Sequence, residues 1–364
     1  MVNWLHKIRQ SDWLLTGAVI FLVLLGLIVI YGISLNRPED NFFLFKKQLA
    51  LAVAGLAVYF TVSIINYRVW QTFSKLIYWA SAALLLIVLF FGSTIRGTTG
   101  WLELGGVGLQ PVEFAKIAVL IFLAYYFSRY AREFFLWRHI LVSGAIVALV
   151  CGLVLKQPDF GSAMVMVGTW FLMLLVVGVK RTQLLTLLAV FVVTAVVGWL
   201  FILQPYQRDR LVTFLNPQAD PLKTGYNVRQ SVIAVGSGQL LGRGFALGSQ
   251  SQLHFLPEPE TDFIFAVLAE EFGLVGVFIL LGVYFLLMYR LIRLSLRTRD
   301  NFAAYFSLGL SALLLVEVFI NVGMNMGMAP VTGIPLPLVS AGGSSLLAFL
   351  GALGVSNSMA REAS

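Results

Sequence analysis

The chain is 364 residues long, 59% hydrophobic and only 12% charged, with a formal net charge of +8. Soluble domains carry roughly twice that charged fraction, which excludes a soluble enzyme, and continuous Leu-, Val-, Ile- and Phe-rich runs exclude the alternating strands of an outer-membrane barrel. The positive balance reads as basic cytoplasmic loops, because no clustered patch suited to nucleic acid is present.

Apolar runs long enough to cross a hydrocarbon core of roughly 30 Å are predicted at 13–34, 46–66, 75–94, 112–128, 139–156, 160–179, 183–204, 262–290, 303–328 and 340–359. The first follows MVNWLHKIRQSDWLL, where basic residues precede an apolar stretch with no small-residue cleavage site, so it reads as a retained helix. The expected fold is therefore all-α, a polytopic integral membrane protein of about ten transmembrane helices forming one unit over 1–364. Its one large extracytoplasmic loop covers about 205–261, with a helix-like stretch around 226–235. An even number of spans puts both termini on one side. Lys7, Arg9, Arg68, Lys75, Arg129, Arg132, Arg138, Lys180, Arg181, Arg290, Arg293, Arg297, Arg299 and Arg361 share that side, against chiefly Arg37, Lys46, Lys47 and Arg96 in the short outer connections. The excess of cations makes the termini cytoplasmic.

Ionisable residues at membrane depth are expensive and therefore functional candidates. Glu113 and Lys116 open the fourth span in QPVEFAKIAVL (110–120) and, three residues apart, share one helix face. They read either as a self-neutralising pair or as a cavity lining in which Lys116 meets an anionic substrate. Lys156 and Asp159 flank Pro158 in an interfacial turn. Arg208 and Arg210, in YQRDRLVTFLNP (206–217), sit just outside the seventh span, where planar guanidinium groups suit pyrophosphate oxygens. Asp262, in LPEPETDFIFAVLAEEFG (256–273), reads either as a general base or as a carboxylate that caps the following helix. Thr261 before it reads as an N-cap, which places the carboxylate in a first helical turn. Glu270 and Glu271 lie two turns further, roughly 12–14 Å along the axis, too far to act with Asp262 on one bond.

Other chemistries fail. His6, His139 and His254 are scattered, so no zinc site is readable. GSGQLLGRG (236–244) lacks the lysine and serine of a phosphate loop and follows no predicted strand. Cys151, the lone cysteine, reads as packing. GIPLPLVSAGGSS (333–345) reads as a broken start to the last span, its prolines preventing regular helix and its small residues allowing close packing.

These pieces, with RGTTGWLELGG (96–106), KQPDFGSA (156–163), GYNVRQS (225–231) and above all LPxxxTDFIFAVLAEE, resemble the SEDS family (shape, elongation, division and sporulation), and within it the RodA-like branch. The resemblance covers nearly the whole chain; the short ends match the RodA-like branch better than the FtsW-like division branch. It implies a peptidoglycan glycosyltransferase of the bacterial cytoplasmic membrane that polymerises lipid II, a disaccharide-pentapeptide on undecaprenyl pyrophosphate, into β-1,4 glycan during elongation. The family's catalytic aspartate falls on Asp262 and its salt-bridged cavity pair on Glu113 and Lys116. Arg96, Arg208, Arg210, Lys116 and Thr261 are the companion substrate-binding candidates. The implied partners are lipid II, membrane lipid, the elongation machinery and a class B penicillin-binding protein. No cofactor or dedicated metal site is expected, although magnesium or manganese can arrive with the pyrophosphate. A lipid II flippase or secondary transporter, whose charges should sit near the midplane, and a non-catalytic scaffold are the rival readings.

Overall fold

In the computed structural model, residues 11–35, 42–95, 98–104, 107–202, 208, 212, 214, 224–253 and 255–363 are described. Chain order runs α1 (Trp13–Leu35), α2 (Phe43–Ile64), a short α3 (Arg68–Thr72), α4 (Ser74–Phe91), strands β1 (Ser93–Ile95), β2 (Thr98–Leu104) and β3 (Val107–Leu109), and α5 (Pro111–Tyr130). It continues through α6 (Trp137–Lys156), α7 (Phe160–Val177), α8 (Arg181–Val197), α9 (Thr224–Ser237), the one-turn α10 (Ser249–Gln252), α11 (Ile264–Arg297), α12 (Asn301–Asn325) and α13 (Gly343–Ala363). Among the described residues ten helices are long and apolar enough to cross a membrane, in the order expected. The helix-like stretch expected around 226–235 is α9.

Pattern explains placement. Helices α5 and α12 are central: Leu120, Ala124 and Phe127 on one, and Phe306, Leu310 and Leu314 on the other, are at most 1% exposed. The seventh span, Arg181–Leu200, is the opposite case, with only 6% of it buried. Its Leu188, Phe191, Val192 and Val193 face outward, as a lipid-facing helix requires.

Two departures from the predicted elements bear on function. First, a small antiparallel sheet in the order β1-β2-β3 interrupts the helical pattern between α4 and α5. Its register pairs Leu102 with Leu109 and Glu103 with Gly108. Its two outer strands are only three residues long, too short to show a period. Second, the eighth span is not one rod. Thirty-four helical residues would measure about 51 Å, far more than the hydrocarbon core, and Gly273 (φ 63°, ψ −163°) breaks them.

The break exchanges hydrogen bonds with the glycine-punctuated loop. In an unbroken helix the Glu270 and Glu271 carbonyls would accept from the amides of residues 274 and 275. Instead they accept from Arg243 N (2.9 Å) and Gly244 N (3.0 Å), while Leu274 N and Val275 N donate to the Gln239 and Leu240 carbonyls at 2.9 and 3.1 Å. All four groups freed by the break are thereby satisfied. The seam is backbone against backbone: a Cβ on Gly238 would strike the Ala269 carbonyl, and one on Gly242 the Glu271 carbonyl. The Glu270 side chain closes the seam further on, accepting from Gln250 N at 2.9 Å and from Ser251 N and Oγ, both at 3.2 Å.

Candidate active site

Asp262 stands just ahead of the half-helix 264–272. The helix begins at Ile264 with Phe263 as its N-cap and no side-chain cap, so the expected capping by Thr261 and the first-turn position of Asp262 are both corrected. The cause is visible in the hydrogen bonds. The Asp262 carbonyl, free to start the helix had it begun there, instead accepts from Asn321 Nδ2 (3.2 Å) and Asn325 Nδ2 (3.0 Å). Ala266 N, its natural donor, turns to the Phe263 carbonyl (3.0 Å) and to Asn325 Oδ1 (3.2 Å). One asparagine amide is thus inserted into the first turn.

The two preceding carbonyls are held as well. Glu260 O accepts from Ala341 N at 2.8 Å, and Thr261 O from Ser340 Oγ at 2.6 Å. Ser340 Oγ in turn accepts from Leu336 N at 2.8 Å. The segment 333–342, predicted as a broken helix start, is irregular backbone and turn that packs closely, its Val339 carbonyl lying where a side chain on Gly26 would be. It also carries half of the grip on 260–262. Gly333, at φ 74°, lies against the Asp262 carboxylate, where a Cβ would come 3.6 Å from Oδ2.

The Glu113–Lys116 pair has a third member. Lys116 Nζ lies 2.9 Å from Glu113 Oε2 and also bonds Glu317 Oε1 on α12. All three residues are at most 3% exposed. Glu317 was missed by the sequence reading; its signal was a lone carboxylate inside LLLVEVFINVG (313–323). Buried and bonded to both carboxylates, Lys116 leaves a substrate anion at most its third N–H. Glu317, Asn321 and Asn325 recur every fourth residue, so one stripe of α12 connects this ion cluster to the Asp262 backbone.

Arg208 donates to the Leu200 carbonyl at 3.2 Å, while Arg96 and Arg210 lie outside the described residues. Asp159 caps α7, accepting from Ser162 N (2.9 Å) and Oγ (2.7 Å), which is the interfacial-turn reading. Glu270 and Glu271 hold the glycine seam. Cys151 is a buried free thiol. Among the described residues no group of three His, Cys, Asp or Glu side chains is placed to hold a metal.

A bundle with ten helices long and apolar enough to cross a membrane, built around a half-helix, a gripped acidic residue and a buried ion cluster, defines a multi-pass membrane protein. A family model described as "Cell cycle protein" (FTSW_RODA_SPOVE) matches residues 12–364. The chain is 37% identical to peptidoglycan glycosyltransferase MrdB of Escherichia coli over 337 residues, 92% of this chain and 90% of that one. It is 36% identical to stage V sporulation protein E of Bacillus subtilis over 356 residues, 96% of each, and 33% identical to the probable peptidoglycan glycosyltransferase FtsW of Trichlorobacter lovleyi, covering 96% and 93%. Among solved structures it is similar to a chain from work on the structural coordination of polymerization and crosslinking by a peptidoglycan synthase complex (TM-score 0.81, 32% identity, 97% and 98% covered). It is also similar to the rod shape determining protein RodA of Thermus thermophilus (TM-score 0.71, 29% identity, 97% of each chain). The chain belongs to the FtsW/RodA/SpoVE, or SEDS, family of peptidoglycan glycosyltransferases.

Proposed function

We propose that the chain polymerises lipid II at the outer face of the cytoplasmic membrane, with Asp262 as general base. The observation that carries this reading is the gripped, non-helical backbone that holds Asp262 ahead of a half-helix at the end of the bundle opposite the basic connections. The acceptor's 4-hydroxyl attacks the anomeric carbon of the donor, Asp262 takes its proton, and the lipid pyrophosphate leaves. An α-linked donor becomes a β-linked product by one inversion, so a single carboxylate suffices. General-base help is worth typically 10²–10⁴ in rate; alignment and charge stabilisation supply the rest. Arg208, Arg210, Arg96 and, through its third N–H, Lys116 are the proposed cations for the pyrophosphates.

The test is polymerisation of lipid II by the purified protein with a class B penicillin-binding protein, in moenomycin. Wild type should yield glycan ladders and Asp262→Asn should fall by at least about 100-fold; near-normal ladders from Asp262→Asn would remove the base assignment. The class B protein is proposed as partner because the similar synthase chain was solved in a complex that couples polymerization to crosslinking. A role in elongation is supported by the likeness to MrdB and RodA; rescue of division but not rod shape in a depleted host would reassign it. The burial of three charged side chains, Glu113, Lys116 and Glu317, among the spans is also compatible with a second reading, lipid II transport, because transporters bury paired charges too. Lipid II crossing proteoliposome membranes, with no ladders, would establish it.

A further inference from the structure

We infer that Asn321 and Asn325 on α12 are positioning residues for the reaction, acting by locking the peptide bond that follows Asp262. The inference rests on Asp262 being the base and adds the machinery that aims it. Catalytic groups act only when held close to the productive geometry, and Asp262 lies in a turn, where no helical ladder fixes it. Its backbone is fixed by side chains instead.

Both amide nitrogens converge on the Asp262 carbonyl, at 3.2 and 3.0 Å. Their orientation follows from their neighbours. Asn321 Nδ2 also faces the Ile334 carbonyl at 2.8 Å, and Asn325 Nδ2 the Asn321 carbonyl at 2.8 Å. Carbonyls only accept, so the nitrogen must point there. Asn325 Oδ1 completes the arrangement by accepting from Ala266 N. One side-chain amide therefore spans the gap between the carbonyl of residue 262 and the amide of residue 266, holding the turn open where a helix would have closed it. Both asparagines are fully buried. An asparagine in that setting costs stability unless every polar atom is bonded, and an apolar side chain would pack α12 as well. Closing the turn into helix would carry Asp262 into the first turn and re-aim its side chain, so the open turn is the feature the two asparagines preserve.

Two donors on one acceptor back each other up. Asn321→Ala and Asn325→Ala should each lower kcat for lipid II polymerisation about 3-fold, whereas the double variant should lose about 100-fold, with KM for lipid II within about 2-fold. A merely structural role would give two additive losses, falling together with the unfolding midpoint. Ser340→Ala, which frees the Thr261 carbonyl from a different segment, keeps the test informative should the double variant fail to fold: its kcat should fall 3- to 10-fold at unchanged KM. The proposal is overturned by additive losses, by KM rising as kcat falls, or by full kcat in a folded double variant. Asp262→Asn is measured alongside. If it retains activity the base reading fails by itself; if it is inactive while the double variant and Ser340→Ala are fully active, only the positioning proposal fails.

Discussion

Lys116 sits between two carboxylates, and the charge count is uneven. Two acids and one amine, none more than 3% exposed, survive in a low-dielectric site only because each charge finds a partner. Removing Lys116 is therefore the severe change, since it leaves Glu113 and Glu317 buried and unpaired. Lys116→Met should cost about 3–5 kcal/mol, whereas Glu317→Gln, which leaves the neutral Glu113–Lys116 pair, should cost about 1 kcal/mol. Thermal unfolding in detergent orders the two, and equal losses would contradict the uneven count. Two of its three members, Glu113 and Lys116, are legible in the sequence, because residues three apart on a helix share a face. Glu317 was visible as a carboxylate in the middle of a span, but its partner is 201 positions away, and no local pattern names such a partner. Asn321 and Asn325 were harder still: uncharged amides near a helix end raise no alarm until the backbone that they hold is seen.

The eighth span shows the same divide at the level of the element. Its apolar run and its position after the long connection are readable, and so is the oddity of GSGQLLGRG, which lacks the residues of a phosphate loop. Their relation is not, because the seam joins the two through main-chain groups and leaves no complementary side chains to recognise. Alanine should be damaging there in a way that composition does not suggest. Gly273→Ala forces a side chain into φ 63° and onto the Gly242 amide, while Gly17 and Gly152, inside α1 and α6, have nothing within 4 Å of an added Cβ. Fluorescence-detected size exclusion after heating should show Gly273→Ala falling by several degrees, with Gly17→Ala and Gly152→Ala unchanged. Loss in all three would mean that the contrast in local space is irrelevant.

At the scale of the whole molecule, one end is tied by polar contacts between distant spans. Arg290 bonds Asp12 at 2.6 Å, Arg361 reaches the Ser63 carbonyl at 2.9 Å, and Ser358 reaches that of Ile65 at 2.6 Å. The same end gathers Arg68, Lys75, Arg129, Arg132, Arg138, Lys180, Arg181, Arg293, Arg297 and Arg299, in the connections opposite the sheet and Asp262. We propose that this end is cytoplasmic. In a Cys151→Ser background, Glu103→Cys on β2 should react with an impermeant maleimide in intact cells, and Arg299→Cys only after permeabilisation; the reverse pattern would invert the molecule.

The seam at Gly273 also makes the bend conditional. Without the loop around 238–244 the Glu270 and Glu271 carbonyls would be left to the amides of residues 274 and 275, the partners of a continuous helix, since an unpaired backbone group away from water is costly. The segment by itself therefore favours one rod, and it is the loop's amides and carbonyls, exchanged into the gap, that hold it as two pieces. The bend that sets Asp262's half-helix apart from the span is thus a product of tertiary contact rather than of the segment's own hydrogen bonding.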